Sequence, residues 1–77
     1  MRAADLTRAL RAFTKRQPFR PFFIEFNSGD RLQVTHPEAI DRQEDLFVFR
    51  GPDGGHRIFS PTGVCQLIDP PPPAQGS

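Results

Sequence analysis

Two glycine-bearing turns, one set between alternating apolar residues and one after an unbroken apolar run, do most to restrict what this chain can fold into. Phe22, Ile24 and Phe26 alternate with Phe23, Glu25 and Asn27, and beyond Ser28-Gly29 the set Leu32, Val34, His36 alternates with Arg31, Gln33, Thr35. A period of two is the mark of a strand with one face inward, so the stretch reads as a β-hairpin. Its register follows from matching faces. A two-residue loop at Ser28-Gly29 sets Ile24 opposite Gln33, whereas a three-residue loop Asn27-Ser28-Gly29 sets Ile24 opposite Leu32 and Phe22 opposite Val34. A one-residue slip moves every side chain to the other face, so the second register is the consistent one. It places Gly29 where such a loop needs a left-handed residue, and Glu25 across from Arg31.

The stretch from Leu46 to Ser60 repeats this form around Pro52-Asp53-Gly54. With these residues as the loop, Val48 faces Ile58 and Phe47 faces Phe59. Both faces are then apolar: Leu46, Val48 and Ile58 lie on one side, Phe47, Phe49 and Phe59 on the other. A sheet with a wet back does not carry that pattern. It predicts a ribbon covered twice, either by the barrel interior and the helix or by its own domain and another protomer or ligand. The candidate protein interface is therefore Phe47, Val48, Phe49, Ile58 and Phe59.

From Asp5 to about Arg16 there is neither Gly nor Pro, and Leu6, Ala9, Leu10 and Phe13 fall on one helical face. Asp5 reads as the N-cap. Arg8, Arg11 and Lys15 cluster on the opposite face, with Arg16 on its flank. This stripe suits contact with phosphates or nucleic acid, and equally suits the ordinary solvated face of a docked helix. Pro18 and Pro21 stop the helix by removing amide donors and forcing extended geometry on their predecessors. Pro37-Glu38-Ala39-Ile40 reads as one helical turn starting at Pro37, and Val64-Cys65-Gln66-Leu67-Ile68 as a last strand. The expected fold is α+β: an N-terminal helix followed by about five short antiparallel strands forming a small barrel.

A chain of 77 residues has room for one domain. It is expected to span residues 1–69, with 70–77, holding four consecutive prolines, as a disordered tail. The single cysteine, Cys65, has no partner for an internal disulfide, which points to a reducing cytoplasm. The runs Phe22-Phe23-Ile24 and Leu46-Phe47-Val48-Phe49 fall far short of the roughly 20 apolar residues of a membrane span, and the start Met1-Arg2-Ala3-Ala4-Asp5 reads as no secretion signal. A formal charge of +1 gives no general affinity for polyanions. Yet up to Arg20 six basic residues face Asp5 alone, and beyond it four arginines face eight acids. Such a division suits self-complementation within or between protomers, or a basic segment turned toward an external anion.

The element order, a helix and then short antiparallel strands, resembles that of Sm-like and other SH3-like small barrels. Pro18-Phe19-Arg20-Pro21-Phe22, then a strand, a Gly turn, and Val34-Thr35-His36-Pro37-Glu38, is similar to a family of short bacterial proteins with a P-F-x-P-F start and an H-P-E segment. That resemblance covers most of residues 5–68. It implies no catalytic or binding residue. The turn Ser28-Gly29-Asp30 departs from the Asp-Gly order usual in that family.

Little in the sequence speaks for catalysis, a metal or a cofactor. His36, His56 and Cys65 are the soft metal ligands, and none is paired at zinc-site spacing. His36 reads as a strand-end residue bonded to backbone, and Cys65 as a small buried residue. Glu38, Asp41, Glu44 and Asp45 are close in sequence, but acid-base work needs a cleft that separates their pKa values. Phe47, Phe49 and Phe59 with Arg50 and Arg57 have the composition of a base-stacking platform, though phenylalanine, lacking a polar tip, more often fills a core. The expectation is a non-enzymatic module that docks on itself or on a protein, with a nucleic-acid binder as the alternative.

Overall fold

The computed structural model describes residues 1–70. It contains one helix, α1 (Ala3–Thr14), and six strands: β1 (Phe22–Phe26), β2 (Arg31–Val34), β3 (Ile40–Gln43), β4 (Leu46–Arg50), β5 (His56–Phe59) and β6 (Val64–Ile68). They form two three-stranded antiparallel sheets, ordered β2-β1-β6 and β3-β4-β5. The α+β class and the leading helix agree with the sequence. The two sheets are not closed into one ladder. The predicted tail at 70–77 lies, beyond Pro70, outside the described residues.

Both hairpins adopt the register that face-matching dictates. Phe22 pairs with Val34 and Ile24 with Leu32 across β1 and β2, and Phe47 with Phe59 and Val48 with Ile58 across β4 and β5. Their loops close alike. In the first, the Gly29 amide donates to the Phe26 carbonyl (2.8 Å) and the Phe26 amide to the Asp30 carbonyl (2.9 Å); in the second, Gly54 donates to Gly51 (3.1 Å) and Gly51 to Gly55 (2.7 Å). Both loops end in a glycine of positive φ, +95° at Gly29 and +88° at Gly54. A Cβ at Gly29 would meet nothing within 4 Å, so only backbone strain opposes a side chain there. Gly29→Ala is expected to lower the free energy of unfolding by about 1–2 kcal/mol, read from urea denaturation followed by far-UV circular dichroism.

Four local expectations are corrected. The helix begins at Ala3 with Arg2, not Asp5, at the N-cap position, and no side chain caps it. Asp5 instead sits in the first turn, where its negative charge suits the helix dipole. The helix ends at Thr14, ahead of Arg16, whose Nε donates to the Phe13 carbonyl at 3.3 Å and so satisfies one free end of the helix. The segment after Pro37 is a turn rather than a helical one, with the Ala39 amide donating to the His36 carbonyl. It leads into β3, a strand the alternation did not reveal, joined to β4 through Glu44-Asp45 with Glu44 at φ +58°.

The core is one cluster. Leu6 and Leu10 of the helix, Phe22 and Ile24 of β1, Leu32 and Val34 of β2, Ala39, Phe47 and Phe49 of β4, and Val64 of β6 are all buried in it. Phe13 and Phe19 meet Phe22 edge-on, with ring centroids 4.9 and 6.3 Å away. β6 is bound to β1 with a register break between Glu25 and Phe26: Gln66 faces Glu25 and Val64 faces Phe26, leaving Cys65 unpaired. That bulge turns Cys65 outward, so it is exposed and not the small core residue its neighbours suggested.

Charged clamps tie the elements together. Arg16 Nη1 lies 2.7 Å from Asp69 Oδ2 and Arg20 Nη2 3.3 Å from it, joining the end of the helix to the end of β6. Glu25 accepts from Gln66 Nε2 on one flanking strand and Arg31 Nε on the other, at 2.6 and 3.2 Å. The Arg16 hydrogen bond holds the Asp69 carboxyl below the usual carboxylate range, and those from Gln66 and then Arg31 do the same for Glu25. Carboxylates with a lowered folded-state pKa stabilise the fold above their unfolded pKa and lose that contribution as pH falls through the folded one. The thermal midpoint is therefore expected to hold from neutrality to about pH 5 and to fall below about pH 4. The decline is modest, since both groups remain in contact with solvent, and Asp69→Asn with Glu25→Gln makes it shallower in melts followed by circular dichroism.

Candidate functional site

The two faces of β4 and β5 have different fates. On the inner face Phe47 and Phe49 are buried and Phe59 is half-buried. Phe59 stacks on Phe47 (5.9 Å, 16°) and meets Phe26 edge-on (5.2 Å). Arg57, paired with Phe49 in the ladder, lies over the Phe26 ring at 5.7 Å. Two of the five residues expected at an interface, Phe47 and Phe49, therefore belong to the domain's own interior, and half-buried Phe59 packs against that core, so of the three rings of the base-stacking platform it alone is partly open. The partition follows from parity: these rings are on the side of the ribbon that meets the helix and the first sheet.

The outer face is the open one. Ile58 is 66% exposed and Leu46 47% exposed, with half-buried Val48 between them. Asp41, opposite Val48 on β3, pairs with Arg50 on β4 (2.5 Å). Arg50 is opposite His56. An apolar strip thus runs beside a cation and an anion on one sheet face, and β5 leaves one backbone edge without a strand partner among the described residues.

The basic stripe on the helix divides between two surroundings. Arg8 leans to Asp5 at 3.9 Å, which also takes Arg2 at 3.3 Å. Arg11 and Lys15 instead flank a half-open groove of about 300 Å³ between α1 and β3. Its third cation is Arg42, which the sequence reading missed. Arg42 is fixed from two sides, its Nε donating to the Glu44 carbonyl (2.7 Å) and its Nη1 to Thr7 Oγ1 (3.0 Å). The one signal for it was parity with Ile40, visible only once residues 40–43 are known to be a strand.

The remaining candidates stay apart. His36 is exposed in the turn before β3, contributing its carbonyl rather than a buried ring, and His56 is exposed on β5. Among the described residues no three His, Cys, Asp or Glu side chains come together as metal ligands. Among those residues, too, no helix is long and apolar enough to cross a membrane. No family model, no curated protein and no solved structure matches the chain.

Proposed function

We propose that the protein is a small non-enzymatic interaction module that associates with a second copy of itself through the outer face of the β3-β4-β5 sheet. The observation that carries this reading is the joint exposure of Leu46 and Ile58 on one face, beside Val48. A two-fold contact places the same patch on both copies and so needs a surface that complements itself. This one has the means: an apolar strip for mutual burial, with Asp41 and Arg50 beside it to exchange partners across the axis.

The architecture in this reading is a small barrel-like module of the Sm-like or SH3-like kind. What supports it is the leading helix and the two three-stranded sheets that share one core. The cytoplasm is its proposed compartment, in keeping with the exposed thiol of Cys65, and the P-F-x-P-F resemblance remains part of the proposal. A nucleic-acid binder using Arg8, Arg11 and Lys15 is the weaker alternative, because the Asp5 contact divides that stripe. Light scattering across a concentration series tests the main reading. A mass rising to twice that of the chain by high micromolar concentration is expected; a single-chain mass throughout rejects it.

A further inference from the structure

Of the ten Lys and Arg side chains, seven rest against a carboxylate or an aromatic ring. Arg2 and Arg8 lie against Asp5, Arg16 and Arg20 against Asp69, Arg31 against Glu25, and Arg50 against Asp41. Arg57 rests on the Phe26 ring. Of the four cations that form no ion pair with a described residue, Arg57 is the one on that ring, and the other three, Arg11, Lys15 and Arg42, line the groove between α1 and β3. In a chain with nearly balanced charge, that is a local surplus of three positive charges at one place, and no carboxylate is among the groove's lining residues.

The groove is also built for more than a bare ion. Its apolar lining comes from Leu10, Pro37, Ile40 and Phe47. Two threonines, Thr7 and Thr14, line it as well, and Thr7 Oγ1 accepts from Arg42, so one cation of the three is positioned before any ligand arrives. The bonds of Arg42 to the Glu44 carbonyl and Thr7 Oγ1 use its Nε and Nη1 and leave the Nη2 donors for a ligand. One preset guanidinium, with a second arginine and a flexible ammonium beside it, matches the several oxygens of a phosphate group, whose charge such donors hold more strongly than neutral ones do. About 300 Å³ is at the lower end of small-ligand sites, enough for a single ring and its phosphate. By contrast the hollow near the 51–55 turn has Arg57 already placed on Phe26, and Asp53 among its lining residues.

We infer that this groove binds a small phosphomonoester with an apolar or aromatic body, the phosphate held by Arg11, Lys15 and Arg42 and the body laid against Leu10 and Ile40. The site is separate from the outer sheet face, and the inference does not depend on self-association.

Phenyl phosphate is the probe, titrated into the ¹⁵N-labelled protein and followed by amide chemical shifts. Saturable shifts are expected in the first helix, around Thr7 to Lys15, and in residues 40–42, with affinity about tenfold above that for inorganic phosphate because of the buried ring. Arg11→Gln with Lys15→Gln, both at exposed positions, should weaken it by about tenfold or more, while Arg8→Gln, on the same helix but against Asp5, should leave it unchanged. Arg42→Gln should weaken it too, its fold checked by the same spectra. Equal affinity for inorganic phosphate overturns the inference, as does the absence of saturable shifts. So does equal loss in Arg8→Gln, which would mean diffuse attraction. Tighter binding of an oligothymidylate without terminal phosphates would assign the groove to nucleic acid and overturn it as well.

Discussion

Phe22→Ala is expected to leave most of the chain unfolded at room temperature. Phe22 is fully buried, the Phe13 and Phe19 rings both meet it, and Val34 is opposite it. Removing a buried phenyl group costs about 3–5 kcal/mol through lost transfer energy and the cavity left behind. A core in a chain this short supplies little more than about 3–5 kcal/mol in all. The two figures are the same size, so a single truncation exhausts the fold. Far-UV circular dichroism, with loss of amide dispersion in the NMR spectrum, reads the outcome. Phe19→Ala, at a partly exposed ring, serves as the milder comparison and is expected to remain folded. A cooperative, native-like melt for Phe22→Ala would mean that the core does not depend on this ring.

Ile58→Asp is expected to do the reverse, abolishing self-association while sparing the domain. Ile58 faces solvent within one copy, so a carboxylate there gives up little intrachain packing. In the proposed two-fold contact the same carboxylate is buried against the partner's apolar strip and near its own counterpart, at a cost of several kcal/mol. Each 1.4 kcal/mol is about tenfold in affinity, so the dimer should vanish from the accessible concentration range. Light scattering then gives the single-chain mass, with an unchanged circular dichroism spectrum. Phe49→Asp is unsuited to this test, for although it sits one strand position from Val48 it points into the core and would unfold the chain. Persistence of a dimer in Ile58→Asp would exclude this face as the contact.

Both registers could be read from the residues because the physics there is local. Apolar parity and a glycine at the end of a three-residue loop leave one self-consistent pairing, and the ladders Ile24–Leu32 and Val48–Ile58 follow. β3 escaped because Ile40-Asp41-Arg42-Gln43 has one apolar residue, and a strand held mainly by its backbone ladder to β4 leaves almost no imprint in its side chains. The same omission hid the groove, since Arg42 reaches the helix only through that strand. The apolar doubling of the second hairpin was legible, but which face the domain would cover was not. That choice depends on how the ribbon meets Leu10, Phe22 and Val64, residues distant along the chain. Cys65 was misjudged for a related reason: its exposure comes from a bulge set by how two remote strands pair.

The position of β1 has a further consequence. It runs down the middle of its sheet, with β2 bonded along one side from a few residues away and β6 along the other from some forty residues further on. During synthesis the helix and the first hairpin emerge long before the strand that completes them, and long-range closure of this kind is slow compared with hairpin formation. The N-terminal half must therefore wait, its sheet open on one flank, until β6 has been made.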